Sequence, residues 1–137
     1  MKESYKALKD TGIFIDEVSN ESINFDSETH LLEIEVDVCT IEDDEFETET
    51  EIKRVKIIFH YTIWFDYIPS DLYNREKLFI NDQYFPTIYE VSHSKMISKL
   101  HDAEKARYQP QSKLKHYVVP CADGVWNIVA RDFKIVR

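Results

Sequence analysis

The chain has 137 residues, 43% hydrophobic and 31% charged, with a formal net charge of −9 at pH 7. That length buries one core without help from disulfides or metals, and that composition excludes a disordered chain. No apolar run reaches the roughly 18 residues of a membrane helix, and two cysteines are too few for a disulfide framework.

Residues 1–10 predict a short helix in which Tyr5 and Leu8 touch the core. The same opening, MKESYKALKD, lacks the apolar centre of a secretory signal, so a cytoplasmic protein with reduced thiols is expected. After Gly12, IFIDEV and SINFD read as short strands around a turn at Ser19-Asn20-Glu21.

The strongest pattern follows. In HLLEIEVDVC, Leu32, Ile34, Val36 and Val38 alternate with Glu33, Glu35 and Asp37, the period of a strand with one buried and one wet face. The run 53–65 predicts its antiparallel partner, with Val55, Ile57, Phe59, Tyr61, Ile63 and Phe65 on one face. Pairing places Glu35 and Asp37 near Lys56 and Arg54, which favours that register by about 0.2–1 kcal/mol per pair. A slip of one residue would expose the apolar face.

PSDLYN reads as a turn or a single helical turn capped by Ser70. KLFINDQYF predicts a hairpin with Asn81-Asp82 at its turn, two residues that tolerate positive φ. Residues 87–107 predict the main helix, from about 88, with Met96, Ile97 and Leu100 as its apolar stripe and Ser92 or Ser94 as its cap. KLKHYVVPCADGVWNIVARDFKIV predicts a closing hairpin around Asp123-Gly124, with Pro120 marking an edge strand or a strand end. The sum is an α+β fold: a predominantly antiparallel sheet with one main helix packed on it. Two glycines and four prolines leave no linker, so residues 1–137 are read as a single domain.

Charge is unevenly distributed. Residues 1–85 hold 21 acids and 8 Lys or Arg, a balance of −13; residues 86–137 hold 5 acids and 9 Lys or Arg, a balance of +4. Seven carboxylates fall between positions 41 and 51, in IEDDEFETETE. An overall field of this sign excludes nucleic-acid binding through a basic surface.

Other chemistries lack their residues. Gly12 and Gly124 alone cannot build a phosphate-cradling loop. The five histidines are dispersed and no cysteine pair exists, so neither a zinc site nor any cofactor is expected. His116 and Cys121 are five apart on one strand and face opposite ways, which excludes a Cys-His nucleophile there. The acidic run has no glycine for a calcium-loop turn, so no metal is assigned to it. No catalytic residue is assigned, and a non-enzymatic protein is the favoured reading.

Two readings of function remain. In the first, Asp43, Asp44, Glu45, Phe46, Glu47 and Glu49 form an acidic surface with an embedded aromatic that binds a basic protein partner. In the alternative, a pocket between the sheet and the helix, with Tyr61, Trp64, Tyr84 or His116 in its walls, serves a small-molecule binder or a small enzyme.

The spacing of FDSETHLLEIEVDV, VKIIFHYTIWF and HYVVPCADGVWNIVARDFKIV, about half the chain, resembles small bacterial β-rich immunity proteins of polymorphic and contact-dependent toxin systems. The resemblance implies an acidic, intracellular, non-enzymatic inhibitor that binds a toxin domain directly. It carries no motif with assigned roles, so no functional residue transfers.

Overall fold

The computed structural model describes residues 2–18, 20–39, 52–104 and 113–137, with backbone alone for 101–104. In chain order the strands are β1 (Ser4–Ala7), β2 (Phe14–Ile15), β3 (Ser22–Asp26), β4 (Leu31–Cys39), β5 (Ile52–His60), β6 (Trp64–Pro69), β7 (Phe79–Ile80), β8 (Gln83–Tyr84) and β9 (Tyr89–Ser92). Helix α1 (Lys95–Glu104) follows, then β10 (Lys115–Pro120), β11 (Gly124–Ala130) and β12 (Asp132–Val136). The described residues are thus mostly antiparallel β-sheet with one short helix.

Alternation builds the first sheet, ordered β12-β5-β4-β2, with β3 also paired to β4. Leu32, Ile34, Val36 and Val38 are fully or almost fully buried, while the residues between them are partly exposed. Glu35 lies opposite Lys56 and Asp37 opposite Arg54, the register that the charge pattern predicts. Arg54 and Lys56 close ion pairs of 3.3–4.0 Å with Glu33, Glu35 and Asp37 along the wet face.

The second sheet runs β1-β9-β10-β11-β6. Its inner side chains, Tyr117, Val119, Cys121, Ile128 and Ala130, meet Ile34, Ile57, Phe59 and their neighbours from the first sheet in a single core. The outer face is covered as well. Ala7, Tyr89, Val91, Val118 and Val125 form a second cluster under Leu78, delivered by the single-turn 3-10 helix Arg75–Leu78. The Tyr89 hydroxyl, 2.8 Å from the Leu78 and Phe85 carbonyl oxygens, ties that covering segment to the sheet.

The expected strand 53–65 is two strands in two sheets. β5 ends at His60, Tyr61 adopts φ 52°, and β6 begins at Trp64 in the other sheet. The strands paired with them turn at the same place, at Arg131 between β11 and β12. Thr62 donates its amide to His30 O, Ile63 to Val129 O and Arg131 to His60 O, so the corner's amides stay bonded. One two-stranded ribbon thereby folds over and contributes a half to each sheet. Phe65 still reaches the common core, but from the opposite sheet, and Tyr61 and Ile63 leave the face assigned to them.

Two further expectations are corrected. Residues 4–7 form an edge strand on β9 rather than a helix, because Tyr5 and Ala7 share one face in a period of two. The helix begins at Lys95, not near 88: Tyr89 and Val91 are buried while Glu90 and Ser92 are not, again a period of two, and β9 is bonded on both sides. His93 at φ 55° ends that strand, and Ser94 Oγ accepts the Ile97 amide as the helix cap. Residues 105–107, the expected end of the helix, lie outside the described residues. The single 3-10 turn Ser70–Leu72 forms, but Ser70 is its first residue rather than its cap; Pro69 holds the cap position and offers no side-chain hydrogen bond. The hairpins at Asn81-Asp82, both at positive φ, and before Gly124 form as predicted, and Pro120 closes β10 although that strand is central.

Candidate functional site

A cleft of about 570 Å³ opens on the outer face of the second sheet, between α1 and the segment 68–77. Its volume falls in the range of about 300–1,000 Å³ typical of small-molecule sites. Strand β1 supplies Tyr5 to one wall and β6 supplies Trp64 and Ile68. Met96 and Leu100, one helical turn apart, descend from α1, and Leu72 and Tyr73 close the far side. Lys77, Lys95 and Lys99 stand around this apolar interior with Glu3.

The floor is a chain of hydrogen bonds that crosses the sheet. Asp66 on β6 accepts Trp64 Nε1–H at 3.1 Å and Asn127 Nδ2–H at 3.0 Å. Asn127 Oδ1 accepts only, so it takes His116 Nε2–H at 2.8 Å and leaves Nδ1 unprotonated. Nδ1 in turn accepts the Ser94 hydroxyl at 2.8 Å. Burial pushes the His116 pKa below its ordinary 6.5, against the opposing pull of Asn127, Glu3 and Asp66, and holds the ring neutral. The sheet thus fixes the helix cap through one imidazole.

Ser94, His116 and Asn127 have the composition of a nucleophile, its base and an orienting group. Their placement argues against that use. Ser94 is buried, its Oγ already accepts the Ile97 amide, and it faces a smaller hollow of about 280 Å³ rather than the cleft that His116 and Asn127 line. The three side chains are bonded to one another and to Asp66, so the array works as a strut between sheet and helix.

At the N-terminal end of α1, Glu3 Oε1 accepts the Lys95 amide at 2.7 Å and Oε2 accepts the Tyr5 hydroxyl at 3.2 Å. Burial alone would raise the Glu3 pKa, but these bonds and nearby positive charge outweigh it and leave the carboxyl below its ordinary 4.5. The Tyr73 hydroxyl in the opposite wall is shielded from water and makes no hydrogen bond of good geometry. Burial pushes its pKa up to about 12.

Of the four residues expected to line a sheet–helix pocket, Trp64 and His116 line this cleft. Tyr61 instead stands at the corner between sheets, with the Arg131 guanidinium 4.7 Å from its ring centroid. Tyr84 donates to Glu17, which also accepts Arg75 at 3.0 Å. Arg75 continues to the Cys121 carbonyl at 2.8 Å and so clamps the covering segment onto the β10–β11 turn. The acidic residues Asp43, Asp44, Glu45, Phe46, Glu47 and Glu49 lie outside the described residues. Among the described residues there is no group of His, Cys, Asp and Glu that could hold a metal ion, and no helix long and apolar enough to cross a membrane.

Sequence reasoning did not single out Ser94 with Asn127, nor the three lysines. The signals were small: a lone asparagine inside GVWNIVA, and SKMISKL, whose Lys95/Lys99 and Met96/Leu100 pairs each recur four residues apart. Comparison with family models, with curated proteins and with solved structures finds no match to this chain.

Proposed function

We propose that this is a non-enzymatic ligand-binding protein whose site is the cleft between α1 and the outer face of the second sheet. The observation that carries the reading is a roomy apolar cleft over a floor whose polar groups are already bonded to each other. Such a floor offers shape and limited polarity but no free nucleophile. The test is thermal shift against a metabolite panel, with Met96→Glu as the control. A ligand at a hundredfold over its Kd stabilises the fold by about 2.7 kcal/mol, and Met96→Glu, which places a charge in the cleft, should abolish that gain. Gains that persist in a folded Met96→Glu protein would remove the cleft from consideration.

A second reading, an immunity-type inhibitor in the cytoplasm, draws on a different observation. The carboxylates on the wet face of β4 are paired with Arg54 and Lys56, so the surplus negative charge is concentrated in residues 41–51 rather than spread over that sheet. In this reading Asp43, Asp44, Glu45, Glu47 and Glu49, with Phe46 among them, meet a basic protein. The test is association with the protein encoded beside this one in its genome. Exchanging Asp43, Asp44, Glu45 and Glu47 for Asn or Gln should slow that association and flatten its salt dependence. No change in either would end this reading.

A further inference from the structure

The charge of the cleft runs against that of the chain. The sequence carries −9, yet among the described residues Lys77, Lys95 and Lys99 line the cleft against one carboxylate, that of Glu3. An open hollow beside it, sharing Glu3, Tyr5, Lys77 and Lys95, adds Lys2. Glu3 is engaged by the Lys95 amide and the Tyr5 hydroxyl, so part of its charge is spent within the fold.

The lysines are not spent in the same way. Elsewhere Lys56 reaches Glu33 and Glu35, and Lys115 reaches Glu90. Lys77, Lys95 and Lys99 close no ion pair with a described side chain; Lys77 lies 5.7 Å from the Tyr73 ring centroid, over its face. Among the described residues, cationic side chains therefore outnumber carboxylates three to one at one site of an acidic protein.

The walls define the other half of the ligand. Trp64 is 46% exposed and Leu72 79%, two of the six large apolar side chains exposed among the described residues, and both border this cleft. His116 and Asn127 are committed to each other and to Ser94 and Asp66, so the floor cannot satisfy a ligand with many hydroxyls. Among the described residues no arginine lines the cleft, so there a head group meets point charges rather than a planar fork.

Resting on the cleft reading, we infer that its ligand is an amphipathic anion: an apolar or aromatic body against Trp64, Met96 and Leu100, with one acidic head group among Lys77, Lys95 and Lys99. The lysines select the charge and the walls select the body.

The test uses two dyes on the full chain, the arylsulfonate 1-anilinonaphthalene-8-sulfonate and the uncharged N-phenyl-1-naphthylamine, with near-ultraviolet dichroism confirming the fold of each variant. The sulfonate should bind one per chain and weaken as salt rises. The double change Lys77→Gln and Lys99→Gln, at exposed side chains, should weaken the sulfonate about tenfold and leave the uncharged dye unchanged. Met96→Glu should weaken both. If both dyes bind and the lysine changes affect neither, the inference of an anion is overturned while the cleft remains a binding site. If neither dye binds the folded protein, the inference and the cleft reading fall together.

Discussion

The two sheets solve the same problem in different ways. The first buries one face: β4 alternates strictly, and its wet side is a row of acids answered by Arg54 and Lys56. In the second, the central strands β10 and β11 are buried on both faces: every residue from His116 to Val119 is buried, as is every one from Asn127 to Ala130. A one-sided sheet needs a single partner layer. A two-sided sheet needs a second, here α1 and the segment 70–84, and an imperfect fit between that layer and the sheet leaves the cleft. Function is proposed where packing is incomplete, on the face that has no regular partner.

The largest expected effects test whether both faces of the second sheet are true cores. Ile57→Ala lies between the sheets and Leu78→Ala lies where the covering layer meets the second sheet; both side chains are fully buried. Each should cost about 2–5 kcal/mol in urea unfolding. A loss below about 1 kcal/mol for Leu78→Ala would mean that the covering layer is not cooperatively packed, and the contrast between the sheets would weaken.

This difference also explains what the sequence discloses. Strict alternation with complementary charges makes β4, β5 and their register legible from the residues alone, since period and charge agree. The corner at Tyr61 and Arg131 is hidden, because the apolar residues continue through it and the break is made by tertiary hydrogen bonds from Thr62, Ile63 and Arg131. The helix start is hidden for a related reason: TIYEV supports either period, and β9 exists only because β1 and β10 flank it. Half of the cleft's expected residues fall elsewhere, because Tyr61 and Tyr84 are placed by the corner and by Glu17, which no local pattern announces.

Next in size is the polar strut. Asn127→Ala leaves His116 Nε2–H and one oxygen of Asp66 without their partner inside the covered face. The expected loss is about 1–3 kcal/mol, read from denaturant midpoints, with increased amide exchange at the start of α1. Full protection at Ile97 in the variant would show that the helix cap does not depend on the strut.

The strut also predicts a pH dependence that the first sheet does not share. The His116 pKa is lowered by burial, so the unfolded chain takes up the proton first as pH falls. Its contribution to stability is therefore complete above its ordinary 6.5 and declines as pH drops through 6.5 towards the lower folded value, with a slope of at most about 1.4 kcal/mol per pH unit. Glu3, whose folded pKa is also lowered, contributes above 4.5 and loses its share only as pH falls below that. His116→Gln should remove the decline that begins near 6.5 and leave the one below 4.5; Glu3→Gln should lessen the decline below 4.5, part of which belongs to Asp26, and leave the one near 6.5. A decline near 6.5 that survives His116→Gln would assign it to another group.

The smallest effect is expected where the sequence is easiest to read. Arg54 is 38% exposed, lies 3.3 Å from Asp37 and 3.5 Å from Glu35, and also donates to Ser22 Oγ at 2.9 Å. Water competes for these groups, and the ordering of a long side chain offsets much of the attraction. A double-mutant cycle of Arg54→Gln and Asp37→Asn should therefore return a coupling of only about 0.2–1 kcal/mol, decreasing with added salt. The pairs set register by penalising misalignment, and their direct contribution to stability is minor. A coupling above about 2 kcal/mol that is indifferent to salt would show the wet face of the first sheet to be effectively buried, and the distinction between the two sheets would then fail from the opposite side.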